Sequence, residues 1–241
     1  MKPAAPALAA LAVVVAAPAA AQEITIGLGD GGSLTARSVQ LILLLTVLSL
    51  APGIAVMITC FPFLVTVLSI LRQGLGLQQS PPNMLIVSLA LFLTWYVMEP
   101  VFTAAWTAGV DPLIAGQVAV DAAFGAAMEP FRGFMLNRVD AATLAAMADL
   151  RGEPTDTAPD AMPLSVLVPS FMLSEIARAF QIGFLVFLPF LIIDLVVAAV
   201  LMSMGMMMVP PAIVALPFKL AFFVVADGWS LIAGALVRSY L

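Results

Sequence analysis

The stretch that decides the fold is "LIIDLVVAAVLMSMGMMMVPPAIVALPFKLAFFVV", Leu191–Val225. Two apolar runs, one carrying Asp194 and the other Lys219, flank Gly205, the methionines Met206, Met207 and Met208, and the pair Pro210–Pro211. Successive helical residues are turned by about 100°, so three consecutive methionines fan over about 200° and cannot form one packed stripe. Glycine before them and two prolines after them mark a turn. Charges within apolar helices are costly and tend to face a bundle interior and pair. Asp194 and Lys219 are almost equally distant from Met207. In an antiparallel hairpin both lie about 18–20 Å from the turn, and an ion pair across the hairpin is geometrically natural. A proton or ion relay through Asp194 is the other reading of that residue. Methionine is unbranched, polarizable and conforms to irregular surfaces. Repeated around a ring of subunits, such a turn makes a compliant apolar constriction. Ordinary core filling draws on the same property, and these residues alone leave both readings standing.

Outward from this hairpin, composition sets the class. Of 241 residues, 63% are hydrophobic and 10% charged, with a mean hydropathy of +1.15. Soluble domains are roughly 45–50% apolar and about 25% charged, so the chain is read as an all-α, polytopic membrane protein. About four apolar helices form helical hairpins, with a small helical extramembrane insert between the second and third. The net charge of −5 and the lack of a basic cluster argue against nucleic acid. With no histidine and one cysteine, Cys60, the chain has no Ser-His or Cys-His pair, no His-ligated zinc and no internal disulfide framework. No catalytic residue, metal or cofactor is expected, and Cys60 reads as a small buried side chain.

The first 21 residues have a basic residue at Lys2, an alanine-rich apolar run and small residues at Ala19 and Ala21, the layout of a cleaved signal peptide. Residues 22–38 form a flexible lead rich in glycine and polar residues. Residues 39–102 hold the first two apolar helices, interrupted by "APG" at 51–53 and joined by an inner bend at 72–83. The second is expected to stop at Glu99 and Pro100. Residues 103–168 collect charged residues and a proline-rich loop, and read as the helical insert. Residues 169–241 are a hairpin whose apolar helices run from Phe171 to Met202 and from Ala212 to Leu236, around the Met-rich turn 204–211. With the start outside, the first span runs inward, Arg72 marks the inner bend and the insert lies on the outer, periplasm-like side. Glu175 and Arg178, three residues apart, can pair along one helix face or sit as a solvated helix end. Asp227 and Trp229, in "VADGW", are candidates for a helix or subunit contact.

Two readings compete with a transport subunit. One is a small-ion or Cu(I) membrane transporter, with the methionines as soft ligands and Asp194 as relay. The other is an intramembrane aspartyl protease built on Asp194 and Asp227, for which the flanking glycine-aspartate signatures are missing.

The motifs "QQSPPN" (78–83), "LALFLT" (89–94), "AFQIGF" (179–184), "PFLIIDLV" (189–196), "GMMMVPP" (205–211), "ALPFKL" (215–220) and "DGW" (227–229) occur in this order. They resemble the FliP family, the P subunit of the flagellar type III export gate, whose injectisome counterpart is a close relative. The resemblance covers roughly residues 40–105 and 128–238, and "VPPAIVALPFK" is closer to the flagellar branch. It implies several copies in a pentamer-like ring, assembled with FliQ and FliR, beside FlhB and FlhA, into a channel for unfolded flagellar proteins. The location implied is the bacterial inner membrane, on the periplasm side of the basal body. It also implies that Met206, Met207 and Met208 form a gasket closing the channel, and that the helical hairpins are largely lifted out of the bilayer plane. One departure stands out: in "CFPFLVT" (60–66), Phe63 occupies the place of a basic residue usual in the family.

Overall fold

The computed structural model describes residues 34–77, 82–153, 158–206 and 208–240. The expected signal peptide, most of the lead and Met207 lie outside the described residues. The chain divides into two compact units, residues 1–49 and 50–241. The described part of the first is the opening of helix α1 (Leu34–Met57), which exposes Leu41, Ile42 and Leu45. This helix runs through 51–53, where "APG" was expected to interrupt it. The break comes later, at Ile58–Cys60. There Thr59 Oγ1 donates to Val56 O at 2.9 Å and receives the Phe61 N–H at 3.4 Å, giving the chain hydrogen bonds outside a helix.

The second unit is all helical among its described residues. Helix α2 (Phe61–Gly74) starts with Pro62 in its first turn and ends with Arg72 near its carbonyls, favourable positions at both ends. Its buried Phe63, Leu64, Val67, Leu68 and Leu71 form the centre of the core. Helix α3 (Asn83–Ala105) follows, and Arg72 donates to the Asn83 side-chain oxygen across the bend. The expected stop at Glu99–Pro100 is not where this helix ends. Pro100 removes one backbone donor, but buried Val97, Met98 and Ala105 on either side hold the helix against the core. It continues through a π turn (Trp106–Val110) into the short α4 (Asp111–Ile114).

Within 103–168 lie α5 (Val120–Arg138) and α6 (Ala141–Arg151). Asp140 caps α6 by accepting the Thr143 N–H at 2.8 Å, and Gly152 ends it in the left-handed region. Helix α7 (Leu164–Ser203) begins seven residues before the expected Phe171, immediately after Pro163, and runs 40 residues. At 1.5 Å per residue that is about 60 Å, roughly twice the thickness of a hydrocarbon core. Helix α8 (Pro211–Val225) returns. The last apolar segment, expected as one helix, is divided: α8 meets α9 (Gly228–Arg238) at 61°. Asp227 at the corner has φ 48°, the left-handed region in which a helix cannot continue.

By length and composition, two described helical stretches can cross a membrane, Asn83–Ile114 and Leu164–Ser203. A third is added if α8 and α9 are one bent span. At 14 residues, α2 covers about 21 Å and is too short to cross alone.

Helices α2 and α7 form the spine and run parallel. Ile58 packs beside Leu167 and Phe171, Ile70 lies against Gly183, and Gly74 lies against Phe187 and Phe190. A methyl group on Gly183 would come within 2.3 Å of Ile70 Cδ1, so a larger residue there would oblige the Ile70 side chain to shift. The parallel arrangement places the bend after α2 and the turn after α7 toward the same end. Because α2 stops at the level of Phe190, the last turns of α7 and the first of α8 project beyond it.

Candidate functional site

The projecting hairpin is assembled from local chemistry. Helix α7 closes with paired reverse bonds: Met206 N–H donates to Leu201 O at 2.9 Å and Gly205 N–H to Met202 O at 3.1 Å. This arrangement requires a left-handed residue at the position after the cap, and Gly205 supplies it at φ 75°. Pro210 is extended and Pro211 opens α8, where its missing N–H costs nothing. At the tip Met206 is half exposed and Met208 is 97% exposed. Ile192, Val196, Val200, Met204, Met206, Val214 and Phe218 line an apolar groove on this hairpin.

The base of the hairpin is clamped. Lys219 Nζ lies 2.6 Å from Asp194 Oδ2 and donates to Gly74 O at 3.0 Å, so one ammonium joins α7, α8 and the C-terminus of α2. Lys219 is 5% exposed, while the Asp194 side chain retains 34% exposure. A cation here also complements the negative end of α2. Asp194 Oδ1 is buried without a hydrogen-bond partner among the described residues.

A second charged group lies toward the other end of α7. Glu175 is fully buried, so the solvated-end reading of Glu175 and Arg178 is set aside: α7 starts well before it. Arg178 Nη1 is 3.3 Å from Glu175 Oε1 and Arg138 Nε is 3.1 Å from the same oxygen. The Tyr240 hydroxyl donates to Glu175 Oε2. Arg138 also donates to Ser239 O at 2.7 Å, and its guanidinium sits 4.0 Å from the Tyr240 ring centre. Burial, then the Glu175 charge, pushes the Tyr240 phenol far above its ordinary range, so it stays a donor. Phe63 is buried and meets the Tyr240 ring edge-on at 5.4 Å. The residue standing where a charge was expected is thus apolar, while Arg138 brings a cation to the same tyrosine.

Arg138 and Tyr240 escaped the sequence reading because Glu175 meets them across 37 and 65 residues of chain. The signal available was that Arg138 is one of only nine basic residues. Asp227 and Trp229 occupy the corner between α8 and α9, with Trp229 edge-on to Phe223 at 5.4 Å. Among the described residues no three His, Cys, Asp or Glu side chains gather to hold a metal ion.

The arrangement suits a passive role: an apolar tip on a braced hairpin, with its charges neutralised by partners. Comparison with known proteins gives the family. The FliP family pattern matches residues 44–236. The flagellar biosynthetic protein FliP of Caulobacter vibrioides is 53% identical over 231 residues, covering 96% of this chain and 87% of that protein. The proteins of the same description from Rhizobium meliloti and Bacillus subtilis are 48% and 45% identical, covering 87% and 84% of this chain and 86% and 92% of their own lengths.

Proposed function

The chain belongs to the FliP family, and from that premise we propose that it is a core subunit of the flagellar type III export gate. A flagellar export role in a helical, apolar membrane protein follows from the family. The finer reading adds a ring of copies, joined by FliQ and FliR and contacted by FlhB and FlhA, around a channel for unfolded flagellar proteins. In this reading the leader at 1–21 is removed, four apolar segments stack as hairpins, and the 103–168 insert faces the periplasm side of the inner membrane. The subunit supplies passage, not chemistry.

The observation that carries the reading is the exposed methionine turn at the end of a clamped hairpin. An apolar tip bare in one subunit acquires neighbours when copies are arranged about an axis. Thioether side chains directed to that axis exclude water and ions by dewetting, and their flexibility lets them part for a passing chain.

The test is the triple variant Met206→Ala, Met207→Ala, Met208→Ala in assembled complexes. Small-ion conductance across the inner membrane is expected to rise while protein export is partly retained. An assembled variant as tight as wild type overturns the gasket. Loss of copper handling without a leak points to a Cu(I) transporter instead.

A further inference from the structure

Helix α9 is held differently at its two ends and through a single face in between. At its start, α8 turns into α9 through 61°, and Asp227 is the one described non-glycine residue with positive φ. The bend is tight: a methyl group on Gly228 would come within 2.2 Å of the Phe223 ring. After its end, Ser239 and Tyr240 are fixed by polar contacts. Arg138 donates to Ser239 O at 2.7 Å, Tyr240 donates to Glu175, and the Tyr240 ring meets Phe63 at 5.4 Å and Phe134 at 6.0 Å. Between these ends one face packs: Leu236 is buried and Ile232, Ala233 and Val237 lie partly buried on the core, while Trp229 and Leu231 on the other side are exposed. A cavity of about 300 Å³ lies under α9, lined by Val186, Phe190, Phe223, Ile232 and Leu236 among others. The slot opens partly to the surface, so it leaves part of the inner face of α9 without neighbours in the subunit.

We propose that α9 with Ser239 and Tyr240 is a strap, hinged at Asp227 and latched on Glu175 and Arg138, that lifts from the apolar slot beneath it as one unit. The hinge is a residue already outside the helical region, so opening need not break a continuous helix. The polar hold is concentrated in the latch, next to the apolar contacts of Ile232 and Leu236, and opening of such a segment is a local event separate from global unfolding. The strap does not depend on the export reading, because its geometry lies wholly within one subunit.

Hydrogen–deuterium exchange on the complete, detergent-solubilised chain tests it. Tyr240→Phe removes the donor to Glu175 and keeps the ring; Tyr240→Ala removes both. Loss of a bond to a charged group predicts exchange in 228–238 faster by about tenfold for Tyr240→Phe, and more for Tyr240→Ala, with α2 and the 176–186 part of α7 unchanged. Wild-type exchange in 228–238 in the phenylalanine variant overturns the latch. Equal acceleration in α2, α7 and α9 overturns the strap, since the cluster is then a general core element. If Tyr240→Ala yields no folded protein, the phenylalanine variant alone decides between these results.

Discussion

Two regions of α7 solve opposite problems. Around Glu175 a carboxylate with no solvent exposure meets two guanidinium groups and a phenol. Around Met204, Met206 and Met208, in the turn that follows the helix, apolar side chains stand bare. Burying a charge is tolerable only where partners satisfy it, and exposing apolar surface only where something else covers it. For Glu175 the subunit meets the first condition with its own residues, drawn from α5, α7 and the segment after α9, while Arg138 Nη2 stays buried without a hydrogen-bond partner among the described residues. The subunit does not meet the second, and on the proposed reading neighbouring copies do so. The contrast separates residues that make the subunit fold from residues that make it assemble.

The largest expected effect is at the buried group. Arg138→Ala leaves Glu175 with one weaker ionic partner and frees Ser239, and removing one member of a buried pair costs about 3–5 kcal/mol. Thermal or denaturant unfolding of the solubilised subunit reads this directly. A change close to zero would erase the distinction between the two regions. The clamp follows. Asp194→Ala and Lys219→Ala should each destabilise the hairpin by about 2–3 kcal/mol, less than the buried group because Asp194 is one-third exposed. Exchanging the residues as Asp194→Lys with Lys219→Asp should restore part of the loss. The recovery is incomplete because an aspartate at 219 cannot donate to Gly74 O. A swap as damaging as the worse single change excludes the pairing.

The smallest effect is on the solvent side of the buried group. Asp140 is exposed, and its carboxylate accepts the N–H and hydroxyl of Thr143, which hold it below its ordinary range. A lowered folded-state value means stability that is present above the unfolded carboxylate range and lost as pH falls through the folded one. Fraying of the first turn of α6 below about pH 4, absent in Asp140→Asn, is the expected signature by exchange at the Thr143 amide.

The sequence made the helical class and the site of the turn readable, for physical reasons that act locally. Gly205 and Pro210–Pro211 dictate backbone geometry within a few residues, and the apolar excess dictates the solvent. What it left unreadable depends on distance along the chain or on competition. Glu175 could be paired with Arg178 or stand as a solvated helix end, and the choice stayed open because Arg138 and Tyr240 reach it only after folding. Pro100 looked like a stop because its lost hydrogen bond is local, whereas the burial of Met98 and Ala105 that outweighs it is tertiary. The corner at Asp227 was hidden since aspartate adopts left-handed backbone only where the surroundings impose it.

The clamp at Lys219 has one further consequence, and it is mechanical. Beyond the point where Asp194, Lys219 and Gly74 meet, nothing of α2 accompanies the hairpin, so it behaves as a cantilever anchored at one end. Its free arm is about 18 Å long, so a rocking of about 10° at the anchor carries the tip through about 3 Å. That is close to the diameter of a water molecule. On the proposed reading, a small rotation of the subunit body, too slight to repack its core, is thereby enough to change whether the space beside Met206 and Met208 is wide enough for water.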